Sequence, residues 1–480
     1  MPVVLVVFAA LLAAFAWRGP STLGAPDIPQ IPEIRSRDGV AAVTLRAALD
    51  AQGRPAFFWR GQEIAPTIRV RPGDEIRVHY TNALPQFCGL GMISDSNLHF
   101  HGLRTSPKPP GDDVVTTLVA PSRSYDYVVR IGRTQSPGLY WYHPHPHHLA
   151  NWELGNGMAG AIVVEGVADV YPELRGLRER VIVLRDMPRD PSVAAAENPS
   201  VLGAVPAPAK HAAFAQPLDG DDFQGATPCG VESDAQPMIN GLPSVSIPIA
   251  PGERQLWRVL NASGRRHFDL TFAGAMKLVA LDGVVTRART IGHALLPPGA
   301  RAEIVVTGPE HPQLLLSRCY DAGRAGESNP GVIFGELVDD RGLGAATRVA
   351  PPFGLRLTHT EPAEPSVRRT VRFTEDRRGF SLNGRRFVPG AAPMFVARAG
   401  TTEEWTLVND TDEVHVFHVH QVHFLVEASS EWHDVIDVPP HRKLEILVDF
   451  RDPIVRGTFF FHCHLTDHED GGMMATIKVV

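Results

Sequence analysis

Histidine is the residue type that stands out, at 21 of 480 positions. At that frequency chance supplies about one His-x-His pair. The chain has five: His99/His101, His143/His145, His145/His147, His418/His420 and His462/His464. Residues i and i+2 of a strand face the same side, so each pair turns two imidazoles toward one point. Imidazole suits copper, zinc, iron and nickel alike, and histidine alone does not name the metal. Cys463 narrows the choice. On a strand it faces away from His462 and His464, and His415, three residues before His418, faces away from the pair His418/His420. Two sites back to back are therefore expected. One is a nest of histidines. The other gathers Cys463, His415 and His468, with Met473 as a weak fourth partner, and a His₂Cys set with an axial Met is a blue-copper electron-transfer pattern.

These side chains need strands to hold them, and the sequence repeats itself in a way that supplies them. A Gly, an alternating strand and an Asn nine residues after the Gly recur at Gly73 to Asn82, Gly252 to Asn261 and Gly400 to Asn409. Each copy reads as a turn feeding a half-buried strand of period two. Three copies imply three related β domains. A second element occurs twice, as Gly138-Leu-Tyr-Trp-Tyr-His-Pro-His145 and Gly457-Thr-Phe-Phe-Phe-His-Cys-His464, each followed by Gly-Met and an apolar strand. The middle region lacks it, so the first and third domains are expected to carry the chemistry and the second to act as a spacer. The reading is all-β, with three consecutive domains at 38–166, 179–340 and 366–480. Linkers are expected at about 167–178 and 341–366, and a long loop at 191–236. No long amphipathic helix is expected.

With 46 basic and 53 acidic side chains the formal charge is −7, which argues against nucleic acid as the main partner. The 43 Gly and 42 Pro fit a chain rich in turns. Val3 to Trp17 is an apolar run shorter than the roughly 18 to 20 residues that cross a bilayer, with small residues after it. It reads as an export signal within 1–25, cleaved or retained as an anchor, which places the folded part in the periplasm or outside the cell. Four cysteines are too few for a disulfide scaffold.

The segments His-Val-Phe-His-Val-His (415–420) and His-Cys-His-Leu-Thr-Asp-His-Glu-Asp-Gly-Gly-Met (462–473), with Leu-His-Phe-His-Gly (98–102) and Trp-Tyr-His-Pro-His (141–145), resemble the four copper motifs of three-domain multicopper oxidases, the laccase-like family. The resemblance spans about residues 38 to 480. It implies three cupredoxin-like Greek-key β-barrels, four coppers per chain, and oxygen reduced to water at a trinuclear cluster between the first and third barrels. Matched residue by residue, it implies a type 1 copper held by His415, Cys463, His468 and axially Met473. It implies a type 2 copper on His99 and His418, and a type 3 pair on His101, His143, His145, His420, His462 and His464. Electrons would pass from Cys463 to His462 and His464. Glu469 matches a family carboxylate near the cluster, and Asp112 or Asp113 matches another; Asp112 is the first choice. With Cys463 a ligand, Cys88, Cys229 and Cys319 remain, and Cys229 with Cys319 is the preferred pair.

Other roles stay open. Met473 has a repeat partner in Met158, where a Met is simple core. His147 and His148 exceed the family pattern and read as structural or solvent-facing, and His423, His433 and His441 as surface or substrate-rim residues. A monomer is expected, and the resemblance implies oxidation of phenols or aromatic amines one electron at a time with O2 as acceptor; the alternative is a metal-ion oxidase acting on Cu(I), Fe(II) or Mn(II). Only 9 Met are present, without a cluster, which weakens the Cu(I) variant. A copper nitrite reductase needs no His-Cys-His flanked by cluster ligands. A zinc hydrolase needs one His-x-His with carboxylates, not four with a Cys. A structural relative would have lost copper ligands.

Overall fold

The computed structural model describes residues 25–188, 235–339, 362–377 and 379–480. The expected export signal, Cys229 and nearly all of the expected loop at 191–236 and linker at 341–366 lie outside the described residues. Three β units follow one another, each of two sheets, and each sheet draws its principal strands from one unit. In the first, Glu33–Arg35, Thr67–Val70, Gly160–Val164, Gly138–His143 and His99–His101 form one sheet, and Gln62–Glu63, Pro55–Trp59, Val40–Leu49, Glu75–Asn82 and Arg123–Arg130 the other. The second and third units each pair a six-stranded with a five-stranded sheet. This is the cupredoxin-like arrangement, and the described helices are single turns such as Ala150–Glu153 and Thr466–Asp470.

Alternation along the strands builds the cores. Glu75–Asn82 buries Ile76, Val78, Tyr80 and Asn82 while Arg77 and His79 face water. Each unit has its own apolar cluster, and each fully buried large aliphatic or aromatic side chain contributes about 1.5–3 kcal/mol. The thrice-repeated Gly-strand-Asn element has a physical cause at both ends. Gly73, Gly252 and Gly400 take φ of 98°, 73° and 88°, a left-handed turn that favours glycine. At the other end the three buried Asn side chains do the same work. Asn82 Nδ2 donates to the carbonyls of Ser94 and Val119, Asn261 Nδ2 to those of Arg266 and Leu296, and Asn409 Nδ2 to those of Glu413 and Val438. In the third unit that bond pins both chain segments flanking His415.

The stretch expected as a linker at 167–178 instead packs down. Val167, Val170, Tyr171 and Leu174 form an apolar cluster with Leu256, Val279, Val285 and Val305 of the second unit. Units one and three meet through Val114, Phe460 and Met474, and through Asp470, whose carboxylate accepts from the Ala150 and Asn151 backbone N–H groups. That contact brings the second His-x-His pair of the first unit against the last pair of the third.

Candidate metal centre

Register places the rings. His99 pairs across strands with His143, and His418 with His462. On the last of these strands Cys463 instead pairs with Phe417, on the face shared with His415. Nitrogen and sulfur atoms converge within 4.8 Å in four triads: His99, His101 and His418; His101, His143 and His464; His145, His420 and His462; and His415, Cys463 and His468. The eight histidines of the nest are at most 2% exposed.

Outward ring nitrogens are tied to the protein, which aims the others inward. Nδ1–H of His143 donates to the Pro144 carbonyl at 2.9 Å, that of His462 to the Cys463 carbonyl at 2.9 Å, and that of His418 to the Asp434 carbonyl at 2.7 Å. His99 Nδ1 faces the Asp112 carboxylate at 3.0 Å. The His145–His462 and His420–His462 Nε2 pairs each lie 3.2 Å apart. Such outer contacts fix tautomer and ring direction in metal sites. Nε2 of His99, His143 and His418 have no hydrogen-bond partner. A buried polar atom left so costs about 1–3 kcal/mol, and a cation in the nest would remove that penalty. Burial, first of all, keeps His101, His143, His145, His418, His420 and His464 well below the usual imidazole range, and pushes His462 down to about 3. Neutral rings are the form that binds metal.

The second site is smaller. Cys463 Sγ lies 3.7 Å from both His415 Nδ1 and His468 Nδ1, and it accepts from the Val416 backbone N–H at 3.4 Å. Burial pushes the thiol up; a coordinated metal ion would hold it as thiolate. Thr411 Oγ1 meets His415 Nε2 at 2.9 Å, and Phe380 stacks on His468 at 3.9 Å. Met473 is fully buried in the apolar cluster that contains Cys463, and its backbone bonds both Cys463 and His468. Met474 falls on the other side, with Phe460 and Val114.

The carboxylates separate by position. Glu469 Oε1 lies 3.3 Å from His145 Nδ1 and Oε2 3.3 Å from His462 Nδ1, and burial raises its pKa well above the usual carboxylate range. Asp112 sits at His99, whereas Asp113 accepts from the backbone N–H groups of Val115 and Thr116 and belongs to its own turn. His147 packs beside Phe387 and Phe460, and His148 bonds the Asp470 carbonyl. His423 is not at the surface as expected: it is 2% exposed, with Nε2 on the Asp282 carbonyl. His433 is partly buried against Asp282, and His441 is exposed. Cys319 is disulfide-bonded, while Cys88 and Cys463 are free thiols; Cys229, its expected partner, lies outside the described residues.

Sequence reasoning missed Gln421, Glu413, Asp434 and Arg301. Gln421 directly follows His420 and was open to notice. Asp434 and Arg301 have no spacing relation to any motif, and only the fold brings them in.

Multicopper oxidase family models match residues 42–169, 219–331 and 359–480. The chain belongs to the multicopper oxidases. Several relatives of this oxidase are distant but match nearly its whole length. The multicopper oxidase mco of Staphylococcus aureus is 23% identical over 93% of this chain and 90% of its own. The cell division protein FtsP of Pectobacterium atrosepticum is 25% identical over 92% and 89%. Among solved structures, the multicopper oxidase of Campylobacter jejuni, described as a metallo-oxidase, superposes with a TM-score of 0.73 at 20% identity, covering 95% of each chain. The fold of the oxidase is thus shared along its whole length, and family membership implies copper.

Proposed function

We propose that this oxidase holds four coppers per chain and couples one-electron oxidation of a reducing substrate to reduction of O2 to water. The observation that carries the reading is the set of four donor triads, one of them containing Cys463. It also favours an oxidase over a relative that keeps the barrels without the chemistry, because every donor of the family motifs is present. In the proposed assignment His415, Cys463, His468 and axial Met473 hold type 1 copper, and His99 and His418 hold type 2. The type 3 pair divides between His101, His143, His464 and His145, His420, His462. When bound, copper supplies the one-electron chemistry and the place where oxygen is reduced.

The chain's own residues do the rest. His462 and His464 flank Cys463 on one backbone, so the two sites are joined by a short covalent path. Near-complete burial of the nest keeps bulk water out. Reducing one O2 to two waters takes four electrons and four protons. Glu469, buried between His145 and His462 with its pKa raised by that burial, is positioned to give a proton and recover it from solvent. Asp112, facing His99, is the proposed second acid. The N-terminal apolar run supports export, and a monomer is the proposed state.

Phenols and aromatic amines are the proposed donors. One observation favours a second reading, metal ions. Glu413 Oε1 lies 3.4 Å from His468 Nε2 and has no hydrogen-bond partner. Burial, then the charges of Glu375, Asp467 and Glu327, push Glu413 up to about 9, an environment that a cation would relieve. The described relative called a metallo-oxidase agrees with it. Oxygen uptake by copper-loaded protein with phenols, aromatic amines, bilirubin, Cu(I), Fe(II) and Mn(II) tests both. Uptake with none of them, or zinc in place of copper on metal analysis, would refute the proposal.

A further inference from the structure

A side chain of the middle unit sits beside the histidine nest. Arg301, on the strand Arg301–Thr307, is fully buried. Its Nη1 and Nη2 meet Asp434 Oδ1 and Oδ2 at 2.5 and 2.6 Å, a two-pronged ion pair with the third unit. Its Nε donates to the Leu139 carbonyl of the first unit at 3.1 Å, on the strand that ends at His143. Its own backbone N–H donates to Asp282 Oδ1 at 2.9 Å. One guanidinium therefore ties all three units together beside the nest.

Asp434 touches the nest twice. Its backbone carbonyl accepts from His418 Nδ1, and its carboxylate Oδ1 lies 3.4 Å from His101 Nε2. His101 differs from its neighbours in which nitrogen points inward. Its Nδ1 lies 3.3 Å from His464 Nε2, on the converging side. Its Nε2 is buried without a hydrogen-bond partner and faces the carboxylate. Gly102 leaves the room for this: a Cβ there would overlap Asp434 Oδ2 and Arg301 Nη2, and its φ is +82°.

We infer that Asp434 is a positioning residue for His101, accepting its Nε2–H when Nδ1 holds copper, and that Arg301 of the middle unit fixes the carboxylate for that purpose. The inference rests on the copper reading above. A carboxylate on the far nitrogen sets the tautomer, holds the ring and makes it the more basic ligand. The oxidised copper should be favoured over the reduced, and the type 3 potential lowered. The second unit then acts on the cluster instead of merely spacing its neighbours.

The test uses the copper-loaded chain, with the type 1 blue band as an internal control. Asp434→Asn alone strands Arg301 without its counter-charge, so Asp434→Asn with Arg301→Gln and, separately, Gly102→Ala are compared with it. Expected is loss of the type 3 near-ultraviolet band at chelator concentrations about 10–100-fold lower than for the parent, with a raised type 3 potential and an unchanged blue band. In the parent loaded with Cu(I), nitrogen-15 resonance of histidine should find the His101 proton on Nε2. Parental chelator resistance and potential in the variants would overturn the inference, as would a proton on His101 Nδ1. Parallel loss of the blue band would assign the tie to the fold rather than to the ring, and would overturn it too. A parent chain with no blue band is a different failure, that of the copper reading itself, and the inference would fall with it.

Discussion

Gln421, next in sequence to His420, donates from Nε2 to Asp112 Oδ2 at 2.6 Å, a buried bond between the third and first β units. Asp112 also accepts from the Phe100 backbone N–H, so its carboxylate is held on three sides with His99 Nδ1 as the third. Asp113, one residue on, is spent on its own turn. Asp112→Asn should lower oxygen turnover about 10–100-fold, the usual cost of losing an outer partner of a metal ligand. Asp113→Asn should leave turnover near the parent value and lower the melting temperature instead. Steady-state oxygen uptake and thermal melts of both variants separate the two; equal activity losses would undo the choice of Asp112.

Glu469 is argued to deliver protons, not electrons. Glu469→Gln keeps the shape between His145 and His462 but cannot ionise. Reoxidation of the fully reduced enzyme should slow by about 10²-fold, with reduction of the blue site by substrate nearly unchanged. Rapid mixing of each half-reaction reads this. A defect confined to the reductive half would move Glu469 to the substrate side, at His468.

Much of this site was legible because strand geometry is periodic. The opposition of Cys463 to His462 and His464 follows from alternation alone, and the duplicated aromatic-His elements mark the two units that carry the nest. The repeated Asn at 82, 261 and 409 was visible as a pattern without its cause, because its partners are carbonyls 4 to 37 residues away. The choice between Asp112 and Asp113 needed the turn itself. His423, three residues past the 415–420 motif, reads as a surface or rim residue, yet the fold buries it against Asp282. Arg301 and Asp434 were illegible: a contact 133 residues apart in sequence leaves no local signature.

Cys463→Ser should abolish the blue band and turnover while the type 2 signal in paramagnetic resonance survives, since His99 and His418 belong to a different triad. A variant that stays blue would show that the thiolate is not the source of the colour.

Met473 and Met474 sit on opposite faces of the last strand and its approach, the first with Cys463 and the second with Phe460. A weak axial thioether tunes potential more than affinity. Met473→Leu should raise the type 1 potential with copper retained, and Met474→Leu should leave it alone. Redox titration of the blue band gives the answer; the reverse pattern would transfer the role.

Removing the metal should expose an opposed pair of pH effects on stability. Burial depresses the pKa of His101, His143, His145, His147, His415, His418, His420, His462, His464 and His468, with His462 and His468 at about 3. For these the unfolded chain binds protons that the folded chain refuses. Their contribution is whole above the ordinary histidine pKa of about 6.5 and is lost as pH falls below it. Burial raises Glu153, Glu413, Glu469 and Asp470, the second to about 9 and the last to about 8. Here the folded chain keeps protons that the unfolded chain gives up, so stability declines as pH rises from the ordinary carboxylate range toward 8 or 9. Ten rings pull one way; these four acids pull the other, joined by Asp186 and Asp434, which burial raises to about 6, and by Glu63, Asp95 and Glu375, also raised by burial. Between about pH 4.5 and 6.5 the histidines win, and above that only the acids still act. The metal-free chain should therefore melt highest near pH 6.5, with a steep fall on the acid side and a shallow one on the alkaline side. Thermal melts of chelator-treated protein from pH 4 to 9 measure the curve. A midpoint that is flat below pH 6.5 would mean that the rings of the metal-free nest are hydrated and free to take up protons, and the argument that they are held neutral for copper would lose its basis.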